Sequence, residues 1–338
     1  MRLCRLSFFS EGTFAALAVA GALALAAPSA FASSCTTQAA MSAQDRGAIA
    51  AAAERISQAV LQQDMNALHT DLLPAIADQW NGIQSEAQQG APLVKNGHLQ
   101  LRNAYLLDAT GNNSVADTQF FCSNSNGLLT VTITMRALPP GRYAVVIADV
   151  PGSAMNAQLG IVLVWDTTAT PAWKLGGLSV RQGSFGAHDG LWFWTHARAL
   201  AAAGSPWSAF YCYEAARYLL VPVEFLSSPN LDKLNQEQSQ IAGSPTGAFP
   251  LTLPDGARTW KIESLHLDAS LHEADLGVTY ESLGINDPAA ARTEATAVLS
   301  ALLKAHPELR QDFHGLWAYA SKDGKVTPVL ELPMAQIP

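Results

Sequence analysis

Residues 129–136 read Leu-Thr-Val-Thr-Ile-Thr-Met-Arg, and the fold class turns on how that octet is taken. Along an extended chain Val131, Ile133 and Met135 point one way and Thr130, Thr132 and Thr134 the other. The segment therefore predicts a strand with one dry and one wet face. Strand-like composition precedes it at His98–Asp108 and Ala116–Ser123. It also follows the turn Pro139-Pro140-Gly141, at Tyr143–Val150, Gln158–Trp165 and Trp173–Arg181. Gly176-Gly177 in the last of these predicts a bulge or sharp curvature. Further upstream the period becomes helical. Ser42 with Asp45 three residues on predicts a capped helix start, and Ile49, Ile56 and Val60 repeat along one face. Leu68, Leu72, Leu73 and Ile76 continue the helical pattern, with a break at Pro74. Helices followed by five or six antiparallel strands predict an α+β layer over residues 42–183, its helices covering a curved sheet.

Beyond the strands the chain turns helical again. Asp189–Ala203 carries Trp192, Phe193, Trp194, Ala197 and Leu200. After Gly204-Ser205-Pro206 a second helix carries Ala209, Tyr213, Ala216 and Leu219. These form a predicted helical hairpin within 187–241, with Leu231–Ile241 as a further short helix. The Gly- and Pro-rich run at 242–258 reads as a linker. The last segment, 259–338, predicts two strands (Trp260–Leu267, Leu276–Ser282) and a helix capped by Asp287 with Pro288 at its first position. A closing hairpin around Lys322-Asp323-Gly324 makes a ββαββ unit.

Of the 338 residues 49% are apolar and 14% charged, with 20 Lys+Arg against 28 Asp+Glu. The apolar share suffices for packed cores and excludes wholesale disorder. A net charge of −8 without a basic run argues against nucleic-acid binding. The first 32 residues read as an export signal: Arg2 and Arg5, an apolar stretch Phe14–Ala27 too short to span a bilayer, and Ala30-Phe31-Ala32 as a cleavage site. No later segment predicts a transmembrane span, so the protein is expected outside the cytosol, periplasmic or extracellular.

Cleavage leaves Cys35, Cys122 and Cys212, an odd number for an oxidising compartment. Three pairings are open, and Cys35–Cys122 is preferred because both fall in one predicted domain. Ala32-Ser33-Ser34-Cys35 also resembles the lipobox of bacterial lipoproteins, although Ala32 stands where a leucine is usual. That resemblance implies lipidation of Cys35 and an envelope anchor.

Residues 42–183 resemble the nuclear-transport-factor-two-like cone, an α+β fold in which a curved sheet wraps N-terminal helices. The resemblance rests on element order and on the closing strand Trp173-Lys174-Leu175 with Gly177 and Val180-Arg181. Gly204, Ala209, Tyr213 and Ala216, with Phe193 and Ala197, similarly resemble one tetratricopeptide hairpin. A cone implies an apolar pocket, for which Leu101, Tyr105, Val131, Ile133, Met135, Trp165 and Trp173 are the candidate lining, with Val145 and Leu163 beside them. Enzymes of that class move protons inside the cone; the equivalents here are Arg102, Tyr105, Asp108, Asp149 and Asp166. No His–Asp pair falls inside the strands, no Gly-x-Ser-x-Gly elbow is present (Gly183-Ser184-Phe185-Gly186 has the wrong spacing), and no phosphate-binding glycine motif occurs.

The most polar constellation is His266-x-Asp268-x3-His272-x2-Asp275, whose imidazoles and carboxylates are the candidate metal ligands. His188, His196, His306 and His314 read as structural. No cofactor is expected. The leading expectation is a non-catalytic exported protein that binds an apolar small molecule or a protein partner through the cone and hairpin. The alternatives are an enzyme acting on a small organic substrate in the cone, which requires an enclosed cavity reaching Tyr105 or Asp108, and a lipid-anchored envelope protein. Exposure of Trp192 or Trp207 would mark an interface on the hairpin, and burial would mark docking.

Overall fold

The structure, a computed structural model, describes residues 33–124, 127, 129–153, 155–256, 258–284 and 287–338; the leader expected over 1–32 lies outside the described residues. The described residues form one compact unit of mixed α+β type. Among the described residues no helix is long and apolar enough to cross a membrane.

A short strand β1 (Ser34–Thr37) leads into helices α1 (Ala43–Gln62), α2 (Met65–Thr70) and α3 (Trp80–Val94). The Ser42 hydroxyl accepts the Asp45 amide at 3.0 Å, so the local capping signal in the sequence is the one used. Pro74 opens a 3-10 turn, Pro74–Gln79, that separates α2 from α3. Then come strands β2 (Gln100–Asp108), β3 (Ala116–Ser123), β4 (Thr130–Leu138), β5 (Arg142–Val150), β6 (Ala157–Asp166) and β7 (Ala172–Arg181).

These strands do not form one sheet. The first sheet runs β1-β2-β5-β6-β7, antiparallel throughout, while β3 and β4 leave it for a second sheet completed by β10 (Leu226–Ser227) in the order β10-β4-β3. The physical reason lies in β2 and β5, which are apolar on both alternations. Ala104, Leu106, Ala144, Val146 and Ala148 face the helices, whereas Tyr105, Leu107, Tyr143, Val145 and Ile147 face the other way. Both faces need cover. The helices supply one cover, and Phe120, Val131, Ile133 and Met135 of the second sheet supply the other. The dry face of residues 129–136 is therefore dry against the back of the first sheet, not beneath the helices. Cys35 on β1 and Cys122 on β3 are joined in a disulfide, Cα atoms 5.1 Å apart, that ties the two sheets together. Cys212 is a free, buried thiol.

Past the two-residue strands β8 (Ser184–Phe185) and β9 (His188–Asp189) stand α4 (Gly190–Ala202) and α5 (Pro206–Leu220), then α6 (Pro229–Ser239). The Asp189 carboxylate caps α4 by accepting the Trp192 amide at 2.8 Å. Gly190 is obligatory at the crossing of α4 and α5, because a Cβ there would lie 2.6 Å from Leu220 Cγ. The hairpin aromatics Phe193, Trp194, Trp207, Tyr211 and Tyr213 are buried in one core with the C-terminal strands. Trp207 stacks on His306 with ring centres 3.6 Å apart. Trp192 alone of the hairpin tryptophans stays outside, 38% exposed and sandwiched between His188 and His196. The hairpin's aromatic density is thus mainly docking.

The C-terminal sheet has five strands, β11 (Leu251–Asp255), β12 (Arg258–Asp268), β13 (Asp275–Glu281), β14 (Gly315–Lys322) and β15 (Lys325–Pro333), in that order, with α7 (Pro288–Ala305) and α8 (Leu309–Asp312) between β13 and β14. Leu251–Asp255, inside the segment read as a linker, pairs with β12 and buries Leu253. Its Pro254 is tolerated because β11 is an edge strand. β13 and β14 are parallel, the one parallel pairing among the named strands, and the α7 crossover makes it. Leu276, Val278, Leu316 and Ala318 face α7 in the core. The opposite face of this sheet carries the polar residues described next.

Candidate functional site

The apolar residues expected to line one cone pocket are divided by the first sheet. Leu101, Trp165 and Trp173 lie with Leu163 on the helix side, and Tyr105, Val131, Ile133 and Met135 lie with Val145 on the side of the second sheet. On that second side a surface groove of about 440 Å³ opens beside the disulfide. Tyr105, Cys122, Val131 and the exposed Leu129 give it apolar lining, and Gln38, Arg46, Asn103 and Asn124 line it as well. Burial raises the Tyr105 hydroxyl above the usual phenol range, partly offset by Arg102. The acids weighed as proton carriers are engaged at strand ends. Asp108 and Asp166 accept from Thr110 and Thr168, each at 2.9 Å to the backbone amide, and Asp149 pairs with Arg102 at 3.1 Å. The Cys35 sulfur is bonded to Cys122, and the thioether that the lipobox resemblance implies would need that same sulfur.

Of the metal ligands expected at His266, Asp268 and His272, the first two stand near one another and the third is turned to another partner. His266 is half-exposed, with Nε2 4.0 Å from Asp268 Oδ2. Asp268 accepts from the Ser270 amide at 2.9 Å and from the Tyr319 hydroxyl. Burial raises its pKa, but those bonds and the His266 charge outweigh that and leave it below the usual carboxylate range. His272 adopts a positive φ of 63° and turns its Nδ1 to Gln182 Oε1 at 3.1 Å.

The fourth member of that constellation, Asp275, instead meets His314, whose place in the sequence reads as structural, and Glu331. Asp275 opens β13, His314 precedes β14, and Glu331 lies on β15 opposite Trp317. Ligand atoms of all three lie within 4.8 Å of one another. His314 is clamped through its backbone: its amide donates to Ala274 O and its carbonyl accepts from the Met334 amide, both at 2.9 Å. His314 Nδ1 stands 2.9 Å from Asp275 Oδ1. The Asp275 side chain is wholly buried, that of His314 45% exposed, so the cluster has a dry floor and an open mouth.

Three buried polar atoms here lack protein partners: Asp275 Oδ2, Glu331 Oε1 and Trp317 Nε1. Gly315 makes the room, since a Cβ on it would lie 2.8 Å from Glu331 Oε1 and 3.1 Å from Asp275 Oδ1. The bond to Asp275 raises the imidazole above its ordinary value against an opposing burial effect, and the charges of Asp275, Glu273 and Glu331 add to it. Burial, with the Asp275 charge, raises Glu331. Chemically, the arrangement can hold a proton or a cation between carboxylates and imidazole. No spacing motif could have announced it, because each residue comes from a different strand or strand entry.

Comparison with protein-family models, with curated proteins and with solved structures found no match to this chain.

Proposed function

We propose that this chain is an exported, non-catalytic binding protein that takes a partly apolar small organic molecule in the groove beside the Cys35–Cys122 disulfide. The groove carries this reading. Its volume, about 440 Å³, is that of a small ligand, and its open lining pairs apolar side chains with amide groups and the Arg46 guanidinium. Those side chains can donate hydrogen bonds to an acceptor or anionic group; none is a histidine or a carboxylate suited to proton transfer. The disulfide and the leader-like N-terminus support an oxidising compartment. Element order and the helices over one face of the first sheet support the cone resemblance, and the crossing of α4 and α5 at Gly190 supports the tetratricopeptide-like hairpin, used here as a single docked unit.

The test uses the anionic apolar dye 8-anilinonaphthalene-1-sulfonate on the oxidised full chain. Saturable one-to-one binding is expected, lost when Val131→Trp fills the groove and weakened by Arg46→Ala. Absence of saturable binding, or binding unchanged in both variants while their circular dichroism matches the parent, would overturn the proposal. Export is checked by fractionating the native host: processed protein outside the cytosol supports it, and unprocessed cytosolic chain sinks it.

A further inference from the structure

The geometry points to a divalent-cation site of zinc type formed by Asp275, His314 and Glu331 on the polar face of the C-terminal sheet. Two features separate this cluster from ordinary surface acids. First, Asp275 is fully buried, with one oxygen held by His314 and the other without a partner. A buried carboxylate oxygen left unpaired keeps its desolvation penalty without compensation, so it calls for a counter-group. Second, Glu331 places another unpartnered buried oxygen in the same gap, and Gly315 keeps that gap free of side-chain atoms. Carboxylates crowded together with no cation repel; a metal ion between them turns that repulsion into coordination.

The donor set narrows the ion. One imidazole and two carboxylates suit a first-row divalent ion, of which Zn²⁺ is the probe, and three protein ligands leave a fourth position for water or an incoming group. The half-exposed His314 ring provides the entry path. Around a tetrahedral ion with ligand bonds of about 2.0–2.2 Å, neighbouring ligand atoms stand roughly 3.3–3.6 Å apart. The 2.9 Å His314–Asp275 contact must open slightly and the 4.8 Å spread must close, both within reach of side-chain rotation. Coordination at Nδ1 needs the neutral imidazole with its ring proton on Nε2. The strand pairing supports the floor: Asp275, Gly315 and Glu331 lie on neighbouring strands held by the β13–β14–β15 ladder. The site is separate from the groove at the disulfide and does not depend on it.

Isothermal titration with Zn²⁺, on the full chain purified without chelator or histidine tag, tests the assignment. One ion per chain is expected, with binding weakened at least about tenfold in His314→Gln and in Glu331→Gln. Asp275→Asn removes a buried charge and can impair folding, so the exposed His314 variant is decisive, judged beside its circular dichroism. His266→Gln, His272→Gln and Val131→Trp should each bind Zn²⁺ as the parent does. Absence of stoichiometric binding, equal affinity in His314→Gln and parent, or transfer of the loss to His266→Gln or His272→Gln would overturn the site.

Discussion

Glu237 shows how one side chain can hold several elements. From α6 it accepts Trp194 Nε1 at 2.8 Å and Arg198 Nε at 2.7 Å from α4, and the Tyr213 hydroxyl at 3.2 Å from α5. The Arg198 bond is the largest cause of its lowered pKa, with the Trp194 and Tyr213 bonds adding and partial burial opposing. A carboxylate whose folded pKa lies below its unfolded value binds fewer protons when folded. Its stabilisation is therefore complete above the unfolded value near 4.5 and is lost as pH falls through the folded value. Glu237→Gln is expected to lower stability by about 1.5 kcal/mol at pH 7. The gap from the parent should narrow as pH falls below 4.5, as read from melting temperatures across pH 7 to 3. A gap that stays constant over that range would reject the charge as its cause. Local signals of this kind were partly legible: the Ser42 and Asp189 caps reach only three residues along the chain, so sequence alone exposes them. The partners of Glu237 sit 24 to 43 residues away and do not.

At the scale of elements, the α4–α5 crossing depends on the absence of a side chain at Gly190, with Leu220 Cγ 2.6 Å from where a Cβ would stand and Ala216 O at 3.2 Å. The backbone carbonyl cannot step aside as a side chain can. Gly190→Ala is expected to cost about 1–3 kcal/mol by overpacking, seen as a lower denaturant midpoint with an unchanged slope. An unaffected midpoint would mean that Leu220 and the helix relax freely. The alternation at 129–136 was read correctly as one dry face. Its partner was not legible, because a strand's period states that a face is buried and not against what. The clue was present in β5, whose residues Tyr143–Ala148 are apolar on both alternations and so demanded two covers.

Across the whole molecule, the disulfide is the long-range constraint. It closes a loop spanning 87 residues, which in the chain-entropy account stabilises the folded state by about 4–5 kcal/mol. Cys35→Ser with Cys122→Ser is expected to lower the unfolding free energy by about 2–5 kcal/mol, measured by denaturant titration, while Cys212→Ser, which touches a buried free thiol, leaves the disulfide intact. An equal stability of parent and double variant would show that the sheets hold without the tether. What could be known from the chain alone was whatever depends on neighbours a few residues apart: caps, breaks, the strand and helix periods, the α+β class. The assembly of Asp275 with His314 and Glu331, the departure of β3 and β4 to a second sheet, and the recruitment of Leu251–Asp255 into the last one were settled only in three dimensions. Those outcomes depend on which buried faces find each other across long stretches of chain, and one-dimensional spacing carries no record of that choice.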